Sequence, residues 1–173
     1  MHHVGISGNL YRLQASLGDH LDGHGIPLDF GGVTHPNATD NEARAVHRGS
    51  ALGKVQLDAF CWFDILPGLL AGHDDVFVVV HSNWRFSHTP EEIGDLLGNL
   101  GNRYLGCTPL GERYACIQAW LARHPTVSSY RILDDSPVAF GDPPPPELIL
   151  CDPRTGLSEP HVQAQIREWL AAG

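Results

Sequence analysis

The sequence predicts an α/β domain built on a mainly parallel sheet with helices on both faces. Three observations carry this reading. Residues 76–81, VFVVVH, form a continuous apolar, β-branched run, the pattern of a strand buried on both faces. Helical patterns alternate with further short apolar runs, which is the order of βαβ units. Aspartate or serine follows three of these runs, at the strand ends where such folds bind ligands.

The elements follow in chain order. Residues 1–24 show no clear period and read as a loose N-terminal extension, with a single domain over 25–173. His20 and His24 have the spacing of a metal pair on one helix face, but Gly23 and Gly25 oppose a helix there. IPLDF, residues 26–30, reads as a short strand in which Pro27 argues for a sheet edge or a strand end. A stretch of about 30 residues rich in Gly, Asn, Asp and His then leads to Phe60, and so long a connection is usually functional or mobile. Trp62, Ile65, Leu66 and Leu69 recur at helical spacing, with a kink or early end expected at Pro67-Gly68.

After the VFVVVH strand, Thr89 reads as an N-cap, Pro90 as the first helical residue and Glu92 as the partner in a capping box. This helix is expected to reach about Leu100 and stop at Gly101. The next helix is expected from about Gly111 to His124, with Ile117, Trp120 and Leu121 inward and Pro125 ending it. SYRIL, residues 129–133, reads as a strand running into Asp134-Asp135. The proline run 143–146 predicts an exposed extended connector. ELILC, residues 147–151, gives the last strand. A closing helix follows Ser158, with Val162, Ile166, Trp169 and Leu170 on one face.

Composition excludes several classes. The 20 acidic and 11 basic residues leave a net charge of −9, which argues against a strongly basic nucleic-acid binder. No run approaches the roughly 20 apolar residues of a membrane span. The start of the chain lacks the cationic and apolar pattern of a secretory leader, so a cytoplasmic setting is expected. Cys61, Cys107, Cys116 and Cys151 match no zinc or disulfide framework and read as reduced thiols.

The strand ends bring together Asp29, Ser82, Asp134 and Asp135. Three converging carboxylates repel one another unless a cation is present. A hard divalent cation with oxygen ligands resolves this, and Mg²⁺ needs only one or two carboxylates plus substrate oxygens. A hydroxyl such as Ser82 and a cation such as Arg113 suit a phosphate group. The chemistry that follows is phosphoryl transfer with a carboxylate nucleophile. Taken singly, each residue also has an ordinary reading: a cap, a turn residue or a solvated surface charge.

The order of these motifs resembles the haloacid dehalogenase (HAD) superfamily of phosphatases. Leu28-Asp29-Phe30-Gly31-Gly32-Val33-Thr34-His35-Pro36 is similar to its first motif, VVVHSNWR (residues 78–85) to its second, and YRILDD (130–135) to its acidic fourth. The closer resemblance is to the small, uncapped HAD domains found alone in bacteria and in predicted Swiss army knife RNA-repair proteins. It rests on Ser82-Asn83-Trp84-Arg85, on Thr108-Pro109 before Arg113, and on Asp152-Pro153-Arg154-Thr155-Gly156-Leu157. It covers about residues 26–171 and implies a Rossmann-like HAD fold.

The resemblance implies an aspartyl-phosphate mechanism with Asp29 as nucleophile. Ser82 would bond the transferring phosphoryl group, and Arg113 would replace the basic residue of the third motif. Ser82, Asn83, Arg85 and Arg113 would surround the substrate, with Trp84 at the rim or in the core. Mg²⁺ would be held by Asp29, the Gly31 carbonyl, Asp134 and Asp135. One departure stands out: the first motif is degenerate (DFGGV), with Gly31 at the position of the family's general acid/base. General acid–base catalysis is worth about 10²- to 10⁴-fold. The domain is therefore expected either to act weakly, on good leaving groups, or to be a lapsed copy that binds a phosphorylated ligand or protein partner. His35 is a conceivable substitute acid. A receiver domain is disfavoured because its acidic pair comes first in the chain. An uncapped site suits a macromolecular end, either nucleic acid or phosphoprotein.

Overall fold

A computed structural model describes residues 22–37 and 60–173. The other residues, which include His20 and most of the long connection to Phe60, lie outside that description.

Six strands form one parallel sheet: β1 (Gly23–Leu28), β2 (Val76–Val80), β3 (Tyr104–Cys107), β4 (Val127–Tyr130), β5 (Ile132–Asp134) and β6 (Leu148–Leu150). The order is β3-β2-β1-β5-β6, with β4 also paired to β1. Gly23 and His24 therefore belong to the sheet rather than to the preceding extension. Among the described residues four helices accompany the strands: α1 (Ile65–Leu69), α2 (Pro90–Leu96), α3 (Arg113–Arg123) and α4 (Pro160–Ala172).

The two faces of the sheet have separate cores. Leu133 and Ile149 join the larger cluster with Leu66 of α1, Ile93 of α2 and Ile166 of α4. Their neighbours Ile132 and Leu148 point the other way, to Ile117 of α3 and Phe140. The alternation along two short parallel strands is the period-2 geometry of a sheet covered on both sides.

Pro27 is not at an edge. β1 lies mid-sheet, between β2 and the β4–β5 pair. The odd residues of β1 face β4 and β5: Arg131 N–H donates to the Gly25 carbonyl, and Asp29 N–H to the Leu133 carbonyl, each at 3.0 Å. The missing Pro27 N–H therefore falls opposite Arg131, the residue that separates β4 from β5. The expected single strand 129–133 is broken at that point, and the break accommodates the proline.

Other boundaries also move. The capping box forms as expected: Glu92 N–H donates to Thr89 Oγ1 (3.2 Å) and Thr89 N–H to Glu92 Oε2 (2.8 Å). However, α2 stops at Leu96, and a 3-10 segment with Gly101 at φ +55° leads into β3, a strand the apolar pattern did not reveal. In α1, Pro67 stands in the first turn, where an N–H has no intrahelical acceptor, so it is compatible with the start of this five-residue helix. Between β2 and β3 the chain holds only α2 and short 3-10 segments, with no cap domain. No helix among the described residues is long and apolar enough to cross a membrane.

Candidate active site

Asp29 is the first residue beyond β1, and Asp134 is the last residue of β5. Parallel pairing holds these strand ends side by side, so both carboxylates emerge at the same edge of the sheet. Both are buried. Asp135 follows at once. Ligand-type oxygens of Asp29, Asp134 and Asp135 lie within 4.8 Å of one another.

The turn after Asp29 is tightly built. Val33 and Thr34 N–H donate to the Phe30 carbonyl at 3.1 and 2.8 Å, and Gly32 N–H donates to the His35 carbonyl at 2.8 Å. Gly32 has φ +71°, and a Cβ there would lie 2.3 Å from Asp135 Oδ2, so only glycine fits. The segment after β6 clamps this turn. Leu157 N–H donates to the Val33 carbonyl (2.9 Å), and Asn37 N–H to the Pro153 carbonyl (2.8 Å). Asn37 Nδ2 then donates to Asp135 Oδ2 at 2.8 Å.

Arg113, on the first turn of α3, is brought in from the other side. Its Nη1 lies 3.0 Å from Asp29 Oδ2 and 2.9 and 2.7 Å from the two Asp134 oxygens. Glu112 caps this helix, accepting from Tyr114 and Ala115 N–H. Below the carboxylates, His81 Nε2 is 2.8 Å from Asp134 Oδ2, and both side chains are fully buried.

These neighbours set the charges. Burial, and then the charge of Asp134, raise Asp29 above its ordinary carboxylate range, against the pull of His81 and Arg113. Burial pushes Asp134 the same way, but the hydrogen bond and charge of His81 and the charge of Arg113 outweigh it and leave Asp134 low. Asp135 is raised by burial and by the other two carboxylates, despite the Asn37 bond. Buried Cys151 is pushed up to about 12 by burial and the same three carboxylates, so it stays a thiol. Three carboxylates whose oxygens lie this close form an all-oxygen donor set, which fits a hard divalent cation such as Mg²⁺.

Residues 26–162 match the family described as the HAD domain in Swiss Army Knife RNA repair proteins. The chain belongs to this family. No curated protein and no solved structure matches it.

Within this HAD domain the remaining expected site residues are placed as follows. Ser82 is buried directly after His81, and its Oγ accepts from Trp84 N–H at 3.4 Å. Asn83 is exposed beside it. Gly31 is half-buried, and a Cβ there would meet Asn37 Oδ1 at 3.4 Å. Trp84 is in the core, stacked on His88 at 5.1 Å. The His35 ring packs edge-on to Phe60 and Trp84, in the aromatic cluster beside the turn.

Arg85, expected beside the substrate, makes its hydrogen bonds within the protein. It is buried, and its guanidinium is directed onto the loop before α3. Nη1 donates to Thr108 Oγ1 and to the Pro109 carbonyl (2.6 Å), and Nη2 to the Gly111 carbonyl (3.3 Å). Its bonds steady the loop that delivers Arg113. The Thr108-Pro109 motif is the other half of that latch.

Sequence reasoning missed His81 and Asn37. His81 carried a signal, as the one polar residue in the VFVVVH run. Asn37 carried none, because its role depends on a loop that doubles back to Asp135.

Proposed function

We propose that this HAD domain is a Mg²⁺-dependent phosphohydrolase acting through an aspartyl-phosphate on Asp29. The observation that carries this is the convergence of Asp29, Asp134 and Asp135 within 4.8 Å, with Arg113 donating to Asp29 and Asp134. The carboxylate of Asp29 attacks the phosphorus, the P–O bond to the leaving group breaks, and water later cleaves the acyl-phosphate to regenerate Asp29. Ser82 Oγ and the Arg113 guanidinium bind and orient the phosphoryl oxygens, and Asn83 stands exposed at the rim. Asp29, Asp134, Asp135 and the Gly31 carbonyl are the groups that would hold the Mg²⁺. Its chemistry there is to neutralise charge on the carboxylates and the phosphoryl group.

Gly31 supplies no proton, so the leaving group departs with solvent assistance alone. The reading is therefore of an enzyme confined to good leaving groups such as aryl or acyl phosphates. Its substrate is proposed to be a phosphorylated macromolecular end, of nucleic acid or protein, because no cap between β2 and β3 encloses the site. A cytoplasmic setting is in keeping with the buried thiols of Cys116 and Cys151.

The second reading is a lapsed domain that binds phosphorylated ligands. It is favoured by Gly31 and by the closure of Arg113 onto Asp29. Phosphate release from an aryl phosphate with Mg²⁺ separates the two. Turnover in the wild type that disappears in Asp29→Asn supports the enzyme; silence in both supports the binding domain.

A further inference from the structure

His81 is the fully buried imidazole of the described residues. It directly follows β2, whereas Asp134 ends β5, and β1 lies between these two strands. The side chain therefore reaches past the end of β1 to place Nε2 2.8 Å from Asp134 Oδ2. Its own backbone N–H is tied to β1, donating to the Leu28 carbonyl at 3.0 Å. The ring meets the Phe140 ring edge-on, with 6.3 Å between centroids. Nδ1 has no hydrogen-bond partner among the described residues.

A side chain that only filled this space would be apolar, because an unpaired buried nitrogen is unfavourable. What offsets it is the bond to Asp134. Ser136 N–H donates to the other oxygen, Asp134 Oδ1, at 2.8 Å. Together the two donors hold both oxygens of a carboxylate that stands beside Asp29 and Asp135. Arg113 also touches both oxygens, but from the partly exposed side, whereas the His81 side chain is fully enclosed.

We propose that His81 is a positioning residue for the divalent-cation site: it fixes the orientation of the Asp134 carboxylate from beneath. The inference rests on the cation site proposed above. Hydrogen-bond partners of metal-ligating carboxylates are typically worth 10- to 100-fold in metal affinity.

The test is calorimetric titration of the full chain with Mn²⁺ in place of Mg²⁺, which needs no turnover. His81→Leu removes the donor, His81→Gln keeps an N–H near the Nε2 position, and His81→Asn is polar but too short to reach. The expected result is binding about 10- to 100-fold weaker in His81→Leu and His81→Asn, with most affinity retained in His81→Gln. If His81→Leu does not fold, the comparison of Gln with Asn decides. Equal affinity in those two, or wild-type affinity in a folded His81→Leu, overturns the inference and leaves the cation site standing. A wild type that takes up no Mn²⁺ overturns the cation site, and this inference with it.

Discussion

On the proposed reading, replacing Gly31 by aspartate should convert a restricted phosphatase into a general one. The local structure permits the change. The backbone there is not in the left-handed region, and among the described residues the added Cβ would meet nothing closer than Asn37 Oδ1 at 3.4 Å, an ordinary contact. Asn37 already donates to Asp135 Oδ2 from its other end, so it has little reason to move. The new carboxyl would join three others, and like charges push a carboxyl pKa upward. That keeps a larger fraction protonated near neutral pH, which is what a general acid requires. Such an acid is worth about 10²- to 10⁴-fold, or about 2.7–5.4 kcal/mol in the barrier. The gain should appear in full with an alkyl phosphate, whose alkoxide leaves poorly, and shrink with an aryl phosphate, whose phenoxide needs no proton. Phosphate release would be compared for wild type, Gly31→Asp and the double variant Gly31→Asp with Asp29→Asn, with Mg²⁺ and both substrates. A folded, Mn²⁺-binding Gly31→Asp that is no faster on the alkyl phosphate would refute the reasoning.

Three further outcomes are expected. Arg113→Ala leaves two buried carboxylates without their nearest cation, and breaking a buried pair typically costs about 3–5 kcal/mol; urea unfolding without Mg²⁺ should show a loss on that scale, partly restored by added Mg²⁺. Gly32→Ala places a Cβ 2.3 Å from Asp135 Oδ2 at φ +71°, so its thermal midpoint should fall and its Mn²⁺ binding weaken, whereas Gly31→Ala should change the midpoint little. The pH dependence has two opposite parts. Asp29 and Asp135 are raised, so their contribution to metal-free stability is present below their ordinary value of 3.8 and lost as pH rises through their folded values. Asp134 is lowered, so its contribution is present above 3.8 and lost as pH falls through its folded value. Because the cation binds the ionised forms, the stabilisation by Mg²⁺ in thermal melts should grow as pH rises above 3.8 and through the raised values of Asp29 and Asp135; a pH-independent shift would place the ion elsewhere.

The sheet and its helices were legible because their signals are local. VFVVVH, the Thr89 capping box and the Val162–Leu170 stripe each contain their own pattern. β3 was not legible, because YLGC is four residues long and follows a 3-10 segment that continues a helical pattern. The break between β4 and β5 was hidden for another reason: it answers to Pro27, about a hundred residues away. The acidic cluster could be anticipated because aspartates at parallel strand ends must meet. Arg113 stood on a helix terminus that disfavours cations, and only its bonds to Asp29 and Asp134 explain why a cation is there. The resemblance placed Arg85 beside the substrate; its bonds to Thr108, Pro109 and Gly111 join distant parts of the chain and leave no periodic trace.

The two cores differ greatly in size, and Arg113 rides on the smaller. α3 buries Cys116, Ile117 and Trp120 and shares a small cluster with Ile132 and Phe140, while more of the sheet's buried residues pack into the other layer. Elements with few buried apolar contacts open at lower free energy than the rest of a domain. Heating should therefore release the guanidinium before the strands come apart, and inactivation should precede unfolding. On the proposed reading, heating would end function through the smaller layer and structure through the larger.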